Sequence, residues 1–168
     1  MTITIRNEQS TDIGAISVLT EAAFRDEPHS SHTEQFIVDA LRRRGQLAIS
    51  LVADDGGGIV GHVTVSPVTV SGGAAGWYGL GPISVSPARH KQGIGGQLMR
   101  EALRMLREQG AQGCVVLGDP AYYGRFGFRQ QPGLVLPGIP AEYFQAQAFG
   151  AATPLGEVAY DEAFNAIS

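Results

Sequence analysis

The stretch Ile83-Ser84-Val85-Ser86-Pro87-Ala88-Arg89-His90-Lys91-Gln92-Gly93-Ile94-Gly95-Gly96-Gln97-Leu98 reads in one run as a strand, a glycine-rich turn and a helix N-terminus. Gln92 to Gly96 can turn several backbone N–H groups in one direction. The helix behind them adds the partial positive charge of its unsatisfied first turn. Small residues there let a phosphate approach the main chain closely. The local pattern therefore describes a cradle for an anion.

Working outward, Leu98, Ala102, Met105 and Leu106 give the following helix a buried stripe, with Arg100, Arg104, Arg107 and Glu108 pointing outward and Gly110 placed to end it. Cys114-Val115-Val116-Leu117 is too uniformly apolar for an exposed strand and should lie mid-sheet, parallel to the strand before the helix. Strand, helix and strand then form a right-handed βαβ unit. Upstream, the strand from Trp77 to Val85 is interrupted by Gly79-Leu80-Gly81-Pro82. A proline cannot donate to the ladder and glycines permit a bulge, so the sheet should splay at this point.

The remaining elements extend this core. Thr2 to Arg6 alternates as a short strand; Ser10 or Thr11 can N-cap a helix carrying Ile13, Ile16, Leu19, Ala23 and Phe24; and Thr33-Glu34 opens a second helix through Phe36, Ile37, Ala40 and Leu41. Gln46–Ala53 and Ile59–Val70 read as strands joined by the hairpin turn Asp54-Asp55-Gly56-Gly57-Gly58. Asp119-Pro120 fits N-cap and N1 of a short helix bearing Tyr122 and Tyr123. Gly127-Phe128 should return to strand, and Leu134–Leu136, Phe144–Phe149 and Gly156–Tyr160 should close the sheet.

Composition narrows the function classes. With 168 residues, 43% of them hydrophobic, a single domain spanning 1–168 is expected. A net charge of −4 argues against DNA or an anionic membrane as partner, though a local anion site remains open to backbone dipoles. One cysteine, Cys114, fits a reducing, cytoplasmic compartment, and no charged-then-apolar leader or run of about 18 apolar residues is present.

Two familiar glycine-loop fingerprints fail on the letters. A dinucleotide motif would need glycine where Leu98 stands, and a P-loop would need Gly-Lys-Ser/Thr after the second glycine. What the pattern does match is Val85-x-Pro87 followed by Gly93-Ile94-Gly95-x-x-Leu98, with Tyr122-Tyr123-Gly124-Arg125-Phe126-Gly127-Phe128 about two dozen residues later. This resembles the acetyl-CoA site of the GNAT superfamily of N-acetyltransferases, with matching element order over nearly the whole chain. Gly118-Asp119-Pro120-x-Tyr122-Tyr123 further resembles its bacterial YhbS-like branch.

The resemblance implies an α/β (α+β) fold: a mixed, mostly antiparallel sheet of about seven strands with flanking helices, splayed between the fourth and fifth. It implies acetyl-CoA as co-substrate, no metal, and an amine-bearing acceptor, in a monomer or homodimer. The CoA pyrophosphate would sit on Gln92, Gly93, Ile94, Gly95 and Gly96, beside His90 and Lys91, and the pantetheine arm along Ile83, Ser84 and Val85. His90 departs from the family's usual Arg or Gln at its position. Tyr123 would hydrogen-bond or protonate the departing thiolate. Full transfer from an ordinary phenol is uphill by about 2 kcal/mol, which favours a hydrogen bond. Tyr122 reads as packing.

The strand from Trp77 to Val85 carries no acid to act as general base. Glu27, His29, His32, Glu34 and His62 are substitutes, each also explained as solvated loop or core histidine, and none is singled out. A non-catalytic acyl-CoA-binding regulatory module is therefore the rival reading, and a ligand-free interaction domain the third.

Overall fold

The computed structural model describes residues 2–150 and 152–168. In chain order its elements are β1 (Thr4–Asn7), α1 (Ile13–Phe24), α2 (Glu34–Arg43), β2 (Ile49–Asp54), β3 (Ile59–Pro67), β4 (Thr69–Val70) and β5 (Trp77–Val85). There follow α3 (Ile94–Glu108), β6 (Gly113–Leu117), α4 (Pro120–Tyr123), β7 (Leu134–Val135), β8 (Phe144–Ala148) and β9 (Gly156–Ala159). Six strands form the main sheet in the order β1-β2-β3-β5-β6-β8, and β4-β9-β7 form a smaller one. Every neighbouring pair of the main sheet is antiparallel except β5 and β6. This is the expected mixed α/β architecture.

The two faces are covered by different helices. Period-two alternation sends Leu51, Val63 and Val65 to one face, where Leu98, Met99, Ala102 and Leu106 of α3 bury against them. Val52 points to the other face, under Ile16 of α1 and Val38 of α2. Each fully buried aliphatic contributes about 1.5–3 kcal/mol of transfer free energy. Gly61 sets the approach of α3, since a Cβ on it would lie 2.9 Å from the Leu98 side chain.

Several local expectations change. Helix α1 is preceded by a single 3-10 turn whose cap is Gln9, not Ser10 or Thr11, because the Asp12 carboxylate accepts the Gln9 N–H at 2.7 Å. The run from Ile59 to Val70 divides at Pro67, which has no N–H to continue the ladder, and Thr69–Val70 pairs with Val158–Ala159 instead. β7 and β9 therefore build the second sheet and do not close the first. Gly127-Phe128 forms no strand; the one ladder contact there is the bridge from Arg129 to Ala146.

The splay falls where expected. β5 pairs with β6 only at Trp77–Gly113, Tyr78–Cys114 and Gly79–Val115, then leaves it. Just beyond, Val65 faces Leu80 and Val63 faces Ile83, so Thr64 stands opposite two residues, Gly81 and Pro82. That is a bulge, and a bulge bends its strand. Gly81 takes φ 135°, a value side chains disfavour, and the Thr64 hydroxyl donates to the Pro82 carbonyl at 2.8 Å, pinning the bend. A fork between two parallel strands results.

Candidate active site

At the fork, backbone direction follows from one hydrogen bond. The Ser86 N–H donates to the Val60 carbonyl of β3 at 2.8 Å. Alternate residues of a strand direct their backbone groups to opposite edges, so Ile83 and Val85 present theirs away from β3, into the fork. The Val85 carbonyl is met there by His90 Nε2 at 3.1 Å.

The glycine turn stands beside this edge. Gly93, at φ 78°, caps α3, and the first intrahelical bond runs from Gln97 N–H to the Gly93 carbonyl. The N–H groups of Ile94, Gly95 and Gly96 thus lack helical acceptors. A cavity of about 690 Å³ is lined by Gly93, Ile94, Gly95, Gly96, His90 and Lys91, with Ile83 and Val85 along its length and Ala23 and Phe24 of α1 opposite. Ser84 and Gln92 do not line it. Ser84 turns its side chain to the other sheet face, where it is buried, and Gln92 accepts from Arg89 at 2.9 Å.

Three arginines reach this cavity, a feature the sequence reading left on outward faces or unassigned. Arg89 is engaged by Asp55 at 2.6 Å. Arg100 lies 5.2 Å from the Phe126 ring centre and Arg125 lies 5.4 Å from that of Tyr122. Neither has a carboxylate partner among the described residues. Tyr122 also does more than pack: it lines the cavity, and a Cβ on Gly95 would stand 3.2 Å from its hydroxyl.

A second cavity of about 470 Å³ meets the first, and Phe24 and Ile83 line both. Tyr123 belongs to this second space. It is delivered by α4, whose start is fixed by Pro120 and by the Asp119 carboxylate accepting the Ala121 N–H at 2.9 Å. Gly118 lets the ring lie against the chain, since a Cβ there would be 2.6 Å from it. Burial pushes the Tyr123 phenol up to about 12, with Tyr122 and Asp119 adding to the effect. It stays protonated at neutral pH and can act as a donor.

Of the five acid or base candidates, the structure brings one into this second cavity. Glu34, at the first turn of α2, is 9% exposed and accepts from the Ser30 hydroxyl at 2.8 and 2.7 Å. Glu27 borders the first cavity, while His29 and His32 are exposed. His62 is a core histidine, bonded through Nε2 to Ser50 at 2.8 Å, and Ser50 donates in turn to Glu8. Burial brings its pKa down to about 4. Tyr160, Leu136 and Phe164 complete the wall from distant parts of the chain.

These features coincide with known proteins. Residues 4–130 match the family model described as an acetyltransferase (GNAT) domain. The uncharacterized N-acetyltransferase YhbS of Escherichia coli K12 is 41% identical over 125 residues, 74% of this chain and 72% of that protein. A GNAT family acetyltransferase from Brucella melitensis, solved in complex with acetyl-CoA, superposes with a TM-score of 0.87 at 49% identity, covering 97% of this chain and 98% of the other. The Escherichia coli YhbS structure in complex with CoA superposes at 0.88 with 36% identity, covering 99% and 93%. A forked sheet with a glycine-turn helix beside it, and a family match that runs from β1 past α4, lead to one conclusion: this chain belongs to the GNAT family of acetyltransferases.

Proposed function

We propose that the protein moves the acetyl group of acetyl-CoA to a primary amine by direct attack within a ternary complex. The observation that carries this reading is the meeting of two cavities at Phe24 and Ile83, one beside the glycine turn and the other beside Tyr123. In this arrangement the pyrophosphate lies on the N–H groups of Ile94, Gly95 and Gly96, with Gly93 shaping the turn. The pantetheine arm bonds to the outward backbone of Ile83 and Val85, and Arg100 and Arg125 attract the charged end of the cofactor. The thioester then reaches the junction, where the Ile83 N–H polarises its carbonyl.

The amine enters from the second cavity and attacks the thioester carbon. The C–N bond forms, the C–S bond breaks, and the electron pair leaves on sulfur. Tyr123 donates a hydrogen bond to that sulfur as charge develops. With the phenol at about 12 and a thiol near 8.5, complete transfer from Tyr123 costs roughly 5 kcal/mol, so the proton that ends on sulfur comes ultimately from the attacking nitrogen. The transfer uses no metal, and residues 1–168 serve as one catalytic domain in the cytoplasm.

A purely CoA-binding module would need only the first cavity. The second space, bearing a phenol and a carboxylate beyond the junction, favours catalysis. Thermal melting with and without acetyl-CoA, followed by thiol release on adding an amine panel, tests the reading. A shift in melting with thiol release supports it; a shift without thiol release from any amine returns the binding module.

A further inference from the structure

The second cavity combines an apolar lining with one buried acid. Ile37, Leu80, Pro82, Leu117, Leu136 and Phe164 line it, and Glu34, Tyr123 and Tyr160 supply its polar groups. Leu117 is 44% exposed although it ends a strand that is otherwise fully buried, because β5 has already diverged from β6 at that level. An apolar side chain left uncovered inside a fork is available to an apolar ligand. On the opposite wall Phe164 and Tyr160 meet edge to face at 4.9 Å, and the turn carrying Phe164 packs on α2, with Arg44 just past that helix 2.7 Å from Asp161.

Glu34 is the anomaly in this setting. Glu34 is 9% exposed as a residue, its carboxylate is bonded to a neutral hydroxyl, Ser30, and among the described residues it makes no ion pair. Buried carboxylates elsewhere in the chain are matched: Glu8 lies 2.8 Å from Arg42, and Asp12 lies 2.8 Å from Arg6. An acid left without a cation in an apolar chamber calls for one from outside.

We infer that Glu34 receives the ammonium of a small, monocationic amine with an apolar or aromatic body, and that it takes the proton which makes this amine nucleophilic. The inference rests on the acetyl-transfer reading above. In the step, R–NH3+ gives a proton to the Glu34 carboxylate, leaving R–NH2 and a neutral carboxyl. The nitrogen pair then forms the C–N bond, the C–S pair departs on sulfur, the second nitrogen proton passes to the thiolate, and Glu34 releases its own proton to solvent. A single carboxylate matches a single positive charge. A polyhydroxylated or polycationic amine would lose hydration on entry without finding partners. A cavity of about 470 Å³ is also in the range of small-molecule sites.

The test compares 2-phenylethylamine, isoamylamine, spermidine, kanamycin and a lysine-containing peptide with acetyl-CoA, reading both thiol release and product mass. The inference expects kcat/KM for the two apolar amines at least tenfold above the others. Glu34→Gln, an isosteric change, should lower that value at least 100-fold while the acetyl-CoA melting shift persists, which certifies the fold. As a second readout, wild-type protein should be inhibited by 2-phenylethylamine analogues that keep the ammonium, such as its N,N,N-trimethyl form, at least tenfold more tightly than by 2-phenylethanol. Glu34→Gln should erase that preference. Preferred turnover of spermidine, kanamycin or the peptide, or an undiminished Glu34→Gln, overturns the inference while leaving acetyl transfer standing. Absence of any acetyl-CoA melting shift overturns both.

Discussion

The imidazole of His90 donates from Nε2 to the carbonyl of Val85 across 3.1 Å, and that carbonyl is directed into the fork where a pantetheine amide would lie. In the proposed binding mode, side chain and cofactor compete for the same acceptor. Removing the side chain by His90→Ala should lower the KM for acetyl-CoA about two- to fivefold, the scale of one neutral hydrogen bond. Initial rates against acetyl-CoA check this. A raised KM would instead mean that the imidazole holds the cofactor.

Tyr123→Phe should cut kcat by roughly 10- to 1000-fold with acetyl-CoA affinity little changed, because in the proposed mechanism the lost donor acts on charge that exists only as the C–S bond breaks. The pH dependence has a definite sign. A phenol pushed up to about 12 keeps its proton above the ordinary tyrosine range, so kcat should show no falling limb from this group below pH 10. A kcat profile from pH 6 to 10 for both proteins decides the matter.

Arg100 and Arg125 lie over aromatic rings at the first cavity and are free of carboxylates among the described residues. Replacing either by alanine should raise the KM for acetyl-CoA about fivefold or more, as expected for a charge-assisted contact. Both side chains are exposed at the cavity mouth, so the penalty should shrink at high salt. KM measured at low and high ionic strength tests the pair.

His62 makes stability depend on acid. Its folded pKa is depressed to about 4, chiefly by burial, with Glu8 and Asp12 opposing the shift and Arg42 assisting it. Below the ordinary value near 6.5 the unfolded chain takes up a proton that the folded one refuses. Stability therefore falls as pH drops from 6.5 toward 4, by up to roughly 3 kcal/mol. Denaturant unfolding at several pH values should show this slope in the wild type and a flatter one in His62→Gln.

The legible parts of this protein were those written in local chemistry. Pro82 and the glycines before it announced the bend in β5, Gly93 to Gly96 announced the turn that opens α3, and Asp119-Pro120 announced α4. Each depends on backbone constraints within a few residues. The reading failed where partners are distant in sequence: Pro67 ended β3, but which strand Thr69–Val70 would join was decided by β9, nearly ninety residues on. Ser84 does not line the cavity with its neighbours Ile83 and Val85, for the local reason that strand alternation buries its side chain on the opposite face.

The acceptor side shows the same division more sharply. Glu34 was one of five candidates that sequence could not rank, because its burial comes from the packing of α2 against α1 and the C-terminal turn. Arg100 read as an outward charge and Arg125 only as part of a motif, and only the packing of α3 beside the turn that follows α4 brings them to a shared cavity. By itself the sequence determined the fork, the glycine turn that opens α3 and the short helix that carries Tyr123, since φ limits, missing N–H groups and capping act locally. Tertiary structure alone decided which acid shares a cavity with that tyrosine, because burial and charge pairing depend on contacts between segments that the chain order does not specify.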